Sequence, residues 1–150
     1  MREAINSAIK DAMRSKDKLR LSTLRLVNAA IKDKDIALRT EDRPEGVSSS
    51  EILQILGKMV KQRQESAKAY EEGGRLELAE QELSEITIIE EFLPRQLSDD
   101  EVKKVIKDTI ASVSASSIRD MGKVMGSIKL HYTGQLDIGK AGAIIKKILG

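Results

Sequence analysis

A proline in the second half of the chain, Pro94, does most to limit how this sequence can fold. It separates two long runs of residues with helical hydrophobic periodicity. Proline lacks an N–H and disfavours helical geometry in the residue before it, so a helix that reaches Leu93 must stop there. Ser98 and Glu101 then have the spacing of a capping box, which predicts the start of a new helix. We therefore expect two helical domains, residues 1–95 and 96–150.

The charge balance changes near the same place. Residues 1–39 contain ten basic and five acidic residues, a balance of +5. Residues 40–101 contain seven and sixteen, giving −9, and residues 102–150 contain nine and three, giving +6. A small module with this excess of cations has the electrostatic footprint of an anion binder, and nucleic acid is the commonest large anion. The alternative is an ordinary lysine-rich surface offset by the acidic middle of the chain.

Apolar residues at helical spacing predict four helices in the first domain. They span about 2–16, 18–39, 48–72 and 76–93, with a surface loop from Thr40 to Ser48. Ser48 and Glu51 form a second capping-box pattern. The pair Gly73-Gly74 predicts a tight turn, which makes the third and fourth helices antiparallel neighbours.

Three shorter helices are predicted in the second domain. Their apolar stripes run from Val102 to Val113, from Ile118 to Ile128 and from Ala141 to Leu149. A turn covers 132–135, and Asp137 can cap the last helix. Ser117 and Asp120 offer a third capping box. No segment has the alternation of a strand. The predicted fold is all-α: a long-helix hairpin or bundle domain followed by a small three-helix C-terminal domain.

Composition excludes several kinds of site. The chain has no cysteine, so it has no disulfide, thiolate metal site or thiol nucleophile. No apolar run approaches the roughly 18 residues of a membrane span. The basic, amphipathic segment Met1–Asp17 contains three acidic residues, which a targeting presequence avoids, so we interpret it as a structural helix. Together these features predict a cytoplasmic protein that does not associate with membranes.

No catalytic, cofactor or metal site is predicted. The chain has no G-x-S-x-G motif, Walker-type loop or G-x-G-x-x-G motif. The only histidine, His131, falls near a helix end, where interaction with terminal carbonyl groups is the preferred interpretation. The glutamates of residues 77–91 suggest divalent metal, but pairing with the basic residues of 58–68 on the neighbouring helix explains them more simply.

The segment Met121–Lys129 contains the most informative pattern, two glycines four residues apart inside a predicted helix. Each costs about 1 kcal/mol of helix stability relative to alanine, which calls for a reason. Either another helix packs closely there, or a phosphate backbone approaches a surface free of side chains. The predicted nucleic-acid-binding residues are the two glycines and nearby cations: Arg119, Gly122, Lys123, Gly126, Lys129 and Lys140.

The chain resembles the YqeY family over essentially its whole length. In the first domain the resemblance rests on Leu24–Lys32 and on the Lys58–Tyr70 stretch. The second domain adds three motifs. They are Leu93-Pro94-x-Gln96-Leu97-Ser98-x-x-Glu101, then Met121-Gly122-Lys123-Val124-Met125-Gly126, then Gly134-x-x-Asp137 before a final apolar helix. The C-terminal part is similar to the tail domain of GatB, a subunit of the glutamine-dependent amidotransferase that acts on misacylated tRNA. The resemblance implies a tRNA-directed role for residues 99–150, centred on Lys123 and the glycine pair. It does not imply catalysis, because the catalytic cradle of GatB is absent.

The function expected on these grounds is a non-catalytic tRNA-binding or amidotransferase-associated accessory protein, with tRNA or an aminoacyl-tRNA-handling protein as partner. Two alternatives remain open. In the first, the chain is a docking factor for an amidase-type subunit, which it contacts through the acidic middle helices without touching RNA. In the second, the chain has carbon-nitrogen ligase or amidotransferase activity of its own, with glutamine as the amide donor.

Overall fold

The computed structural model describes the whole chain, Met1–Gly150, and it is entirely helical. The all-α prediction is confirmed. The seven α-helices are α1 (Arg2–Ser15), α2 (Lys18–Arg39), α3 (Ser49–Glu72), α4 (Leu76–Glu90), α5 (Asp99–Ser112), α6 (Met121–Tyr132) and α7 (Ile138–Leu149), and a 3₁₀ turn (Ile118–Asp120) precedes α6. The chain separates into two compact units, Met1–Leu93 and Pro94–Gly150, which we call unit 1 and unit 2. No helix is both long and apolar enough to cross a bilayer.

Unit 1 is built around α2, which packs against α1, α3 and α4. Asp17 caps its start by accepting a hydrogen bond from the backbone N–H of Arg20. The core is aliphatic, as the scarcity of aromatic residues predicts. Its fully buried members include Ile5 from α1, Ile31 from α2, Leu56 from α3 and Ile89 from α4.

A partly buried ion pair between Arg2 and Asp35 connects α1 and the α2–α3 loop to α2. Both Nη atoms of Arg2 donate to the carboxylate of Asp35, at 2.8 and 2.5 Å. Asp35 also accepts the backbone N–H of Val47 at 2.8 Å. The neighbouring Gly46 has φ +77°, and a Cβ there would lie 3.0 Å from Cγ of Asp35. Only glycine fits this position, because it satisfies both the positive φ and the close approach.

The helices α3 and α4 pack against each other along their lengths. Ser48 and Glu51 form the predicted capping box at the start of α3. The helix ends at Glu72, and Gly74 takes φ +75° in the short link to α4. Arg63 of α3 donates through Nε to Glu85 of α4 at 3.1 Å, so cross-helix pairing does account for a member of the acidic run.

Unit 2 packs three helices around a small aliphatic core. Ser98 and Glu101 form the predicted capping box of α5, and Asp137 caps α7 by accepting the N–H groups of Gly139 and Lys140. Residues from all three helices are buried together: Val102, Ile106, Val124, Ile128, Ala141 and Ile145.

Two local predictions were wrong. The fourth helix was expected to reach Leu93, but α4 ends at Glu90. The N–H of Leu93 bonds instead to the carbonyl of Glu90, an i−3 bond that tightens the chain ahead of the proline. The capping box at Ser117 does not form either. Asp120 accepts the backbone N–H of Ser116 at 2.9 Å, and residues 118–120 form the 3₁₀ turn.

Candidate nucleic-acid interface

The buried face of α6 fixes which of its residues meet solvent. Val124 and Ile128 are fully buried in the unit 2 core, and Met121 and Met125 pack against it. At about 100° per residue these four lie on one side of the helix. Residues 122, 123, 126, 129 and 130 therefore lie on the other side, and all five are exposed.

The two glycines of α6 face open space. A Cβ built on Gly122 or Gly126 meets no atom within 4 Å. The first explanation offered by the sequence, close packing of another helix on this pair, is therefore wrong. The glycine of unit 2 that faces a neighbouring helix is Gly142 of α7, where a Cβ would be in ordinary contact with Cε of Met121 at 3.6 Å and Cε of Met125 at 3.9 Å. Gly142 was missed because its spacing gives no local signal.

Lysines flank the open glycines. Lys123 lies three residues before Gly126 and Lys129 three residues after it, which places them about 60° to either side around the helix. Gly122 lies between Gly126 and Lys129. The exposed side of α6 thus consists of the backbone at Gly122 and Gly126 bordered by Lys123 and Lys129. We call these four residues the glycine face.

The cations of the glycine face have no carboxylate within ion-pair distance. The ion pair of unit 2 joins Arg95 to Glu101, both outside α6. Asp120 interacts with Lys123 only weakly: the backbone hydrogen bond from Ser116 is the main cause that lowers the pKa of Asp120, and the charge of Lys123 is a smaller contribution. Arg119, in the 3₁₀ turn just before α6, is exposed. Lys123 and Lys129 therefore retain most of their positive potential for an external anion.

Lys140 is not brought to the glycine face. It is exposed near the start of α7, two residues before Gly142. Since Gly142 faces α6, Lys140 lies about 160° away around α7, on the side turned from α6. The structure thus groups five of the six predicted residues at or next to α6 and leaves Lys140 on another surface of unit 2.

An exposed leucine at this surface was not predicted from the sequence. Leu130 is 78% exposed, the largest exposure among the large apolar side chains of the chain. It follows Gly126 by one helical turn and so extends the row formed by Gly122 and Gly126. The signal was available, because Leu130 falls outside the i, i+3, i+4 stripe of α6. It adds an apolar contact at one end of the glycine face.

Two other groups were considered from the sequence, His131 and the acidic residues. The Nδ1 atom of His131 lies 2.9 Å from the carbonyl oxygen of Ser127, one turn back in α6. His131 thus contacts a carbonyl of its own helix, but Ser127 lies before the last four carbonyl groups of α6, so the predicted contact with the terminal carbonyls is not the one that forms. No group of three or more His, Asp or Glu side chains is arranged to hold a metal ion.

Comparison with known proteins places the chain in a sequence family. The family described as Yqey-like protein matches residues 2–149. Three yeast proteins named altered inheritance of mitochondria protein 41, mitochondrial, are similar to the chain. The one from Kluyveromyces lactis is 30% identical over 81% of this chain and 67% of its own length. The one from Clavispora lusitaniae is 29% identical over 94% and 80%. The one from Lachancea thermotolerans is 34% identical over 57% and 43%.

These relatives correct the predicted location. All three are named as mitochondrial proteins, which overturns the cytoplasmic prediction. That prediction rested on the lack of cysteine and on the acidic residues of α1. A lack of cysteine is compatible with any reducing compartment, and the acidic residues of α1 are part of a folded helix. Neither property therefore distinguishes one reducing compartment from another.

Proposed function

The chain belongs to the YqeY-like family, and we propose that it is a non-catalytic tRNA-binding protein that accompanies tRNA amidotransferase-type enzymes. In this proposal unit 2 contacts the RNA backbone through the glycine face, with Arg119, Lys123 and Lys129 neutralising phosphates. Lys140 provides a separate contact on α7. The amidotransferase connection derives from the similarity of the tail to the GatB domain.

One observation carries the proposal: Gly122 and Gly126 are open to solvent between two lysines. Glycine weakens a helix, and here no packing contact offsets that cost. A surface stripped of side chains lets a phosphate group approach the helix backbone, while the lysines beside it supply charge. Gly57 of α3 is equally open, so the support comes from the combination of two open glycines one turn apart with lysines on both sides.

The residues of unit 2 favour contacts to RNA backbone and shape. Tyr132 is its only Phe, Tyr or Trp residue and is partly buried, and the one other aromatic ring is that of His131. Reading of unpaired bases depends on stacking against aromatic side chains, whereas duplex RNA is recognised mainly through phosphates and 2′-hydroxyls. We therefore propose recognition of a helical arm of tRNA.

The salt dependence of tRNA binding tests this proposal. Each neutralised phosphate contributes about 0.7 to 0.9 to the slope of log affinity against log salt. The Lys123→Gln, Lys129→Gln variant should therefore weaken tRNA binding and reduce the slope by about 1.4 to 1.8. The matched control is Lys103→Gln, Lys104→Gln, which removes two exposed lysines from α5. A slope equal to that of the control would contradict the proposal.

The exposed face of α4 favours a second candidate function, docking onto an amidase-type subunit without RNA contact. Leu76 and Leu83 are 62% and 46% exposed and lie seven residues apart on one side of α4. Glutamates at 77 and 80 accompany them, so this side is both apolar and acidic. Size-exclusion chromatography with a purified amidase-type subunit tests the idea, with Leu76→Gln, Leu83→Gln expected to abolish co-elution.

A further inference from the structure

A line of cations runs along the whole length of α2 in unit 1. Lys18, Arg25, Lys32 and Arg39 follow one another at intervals of seven residues, and all four are exposed. Seven residues span about 10.5 Å of helix and return to nearly the same side, with a drift of about 20°. The four charges therefore form a nearly straight row about 31 Å long, which we call the α2 row.

The members of the α2 row make no ion pair, in contrast to most arginines of unit 1. Arg2 pairs with Asp35, Arg20 with Glu91 at 2.5 Å, and Arg63 with Glu85 at 3.1 Å. Arg43 pairs with Glu51. Asp35 lies on the same helix, three residues after Lys32 and four before Arg39. Arg39 is close enough to help lower its pKa, but the carboxylate already accepts both hydrogen bonds from Arg2.

The C-terminal half of the row forms one wall of a groove of about 490 Å³. Lys32 and Arg39 lie on the α2 side with the amide of Asn28, and the amide of Asn6 lies on the α1 side. Arg2 and Asp35 also line the groove, and their charges are paired with each other. The volume falls in the range of roughly 300 to 1,000 Å³ that small-molecule sites occupy. Amides supply donors and acceptors for hydroxyl and phosphate oxygens, so the groove suits a polar, anionic ligand.

From this arrangement we infer that the α2 row is a second RNA-backbone contact, separate from the glycine face, with a sugar–phosphate unit seated in the groove. The inference rests on the proposed function. A duplex nucleic acid presents about one charge per 1.7 Å of its axis, so a straight 31 Å row can meet several phosphates at once.

An anionic membrane fits the row less well. Helices that bind membrane surfaces insert an apolar face into the lipid. The apolar face of α2 is instead buried in unit 1, where Leu24, Val27 and Ile31 are fully enclosed. Three large apolar side chains of α2 are exposed, Leu19, Leu26 and Ile36. They lie seven and ten residues apart along the helix, so the row carries isolated apolar side chains rather than the continuous apolar face that bilayer binding needs.

Fluorescence anisotropy with labelled tRNA between 50 and 200 mM salt tests the inference on the full chain. The variant is Arg25→Gln, Lys32→Gln, and the matched control is Lys58→Gln, Lys68→Gln, which removes two exposed cations from α3 of the same unit. We expect the variant to reduce the salt slope by about 1.4 to 1.8 and the control to leave it unchanged. Circular dichroism establishes that each variant is folded.

The outcomes separate this inference from the proposed function. If the wild-type chain does not bind tRNA, both are overturned. If Lys123→Gln, Lys129→Gln flattens the slope while the α2 variant matches its control, only the α2 row is overturned. If the α2 variant flattens the slope while Lys123→Gln, Lys129→Gln matches its own control, the α2 row is supported and the glycine face is not. Binding to phosphatidylserine vesicles that is lost in the α2 variant, with tRNA binding unchanged, would assign the row to membranes and overturn the inference.

Discussion

Gly126 follows Gly122 by one turn of α6, and a Cβ at either position meets no other atom within 4 Å. Replacing either with alanine therefore creates no clash and removes the helix penalty of glycine. We predict that Gly122→Ala and Gly126→Ala each raise the free energy of unfolding by about 1 kcal/mol. Urea unfolding followed by circular dichroism measures the change.

The glycine of α3 provides the comparison. A Cβ at Gly57 also meets nothing within 4 Å, so Gly57→Ala should stabilise the chain by a similar amount. A loss of stability in the α6 variants alone would mean that something packs on the glycine face, and the proposed function would lose its main support.

Gly46 should show the opposite behaviour. Its φ of +77° and its closeness to Asp35 leave no room for a side chain. Alanine would add backbone strain of about 1 to 3 kcal/mol and push against the Arg2–Asp35 pair. We predict that Gly46→Ala lowers the urea midpoint clearly, with an unchanged dependence on urea concentration. A midpoint within error of wild type would show that the α2–α3 loop is free to rearrange.

The stability of unit 1 should depend on pH through Asp35. The hydrogen bonds from Arg2, then the N–H of Val47, lower the pKa of Asp35 to about 2. A carboxylate whose pKa is lowered on folding contributes its stability above the unfolded pKa and loses it as the pH falls through the folded one. Asp35→Asn should cost about 2 kcal/mol at neutral pH.

The gap between wild type and Asp35→Asn should close as the pH falls from about 4 to about 2, since Asp35 itself becomes protonated there. The comparison isolates Asp35, because Glu51 and Glu101, whose pKa values are also lowered to about 2, titrate in both proteins. Thermal unfolding at a series of pH values measures the gap. A gap that is independent of pH would assign the cost to packing rather than to the ion pair.

Arg63 and Glu85 form the least exposed ion pair of the chain, with side chains 14% and 11% exposed. Removing one partner leaves a desolvated charge, so Arg63→Met and Glu85→Leu should each cost about 3 to 5 kcal/mol. The double variant buries neither charge and should cost much less than the two singles together. A double-mutant cycle measures the coupling. Additive costs would indicate that the pair is effectively solvated.

Local signals in the sequence predicted the helices well because each has a clear physical cause. The Ser98–Glu101 capping box, the Asp137 cap and the stop at Gly73-Gly74 all occur as expected. Errors arose where local patterns compete. At Ser117 the side chain of Asp120 bonds to Ser116 instead of completing a box, which gives a 3₁₀ turn.

The candidate site was predicted in part. Periodicity placed Gly122, Gly126 and the lysines at 123 and 129 on neighbouring faces of one helix. It could not decide whether those faces were covered, because coverage depends on how α7 crosses α6. At that crossing Gly142 of α7 faces Met121 and Met125 of α6. Lys140 was grouped with α6 by charge alone, although it lies on the far side of α7.

The central claim is that an RNA backbone approaches the bare surface of Gly122 and Gly126. The most direct measurement is tRNA affinity of the Gly122→Gln, Gly126→Gln variant, which adds bulk without changing charge, with Gly57→Gln as the control. Our account predicts that the variant is at least as stable as wild type but binds tRNA at least tenfold more weakly, while the control binds normally. Unchanged affinity in a folded variant would contradict it.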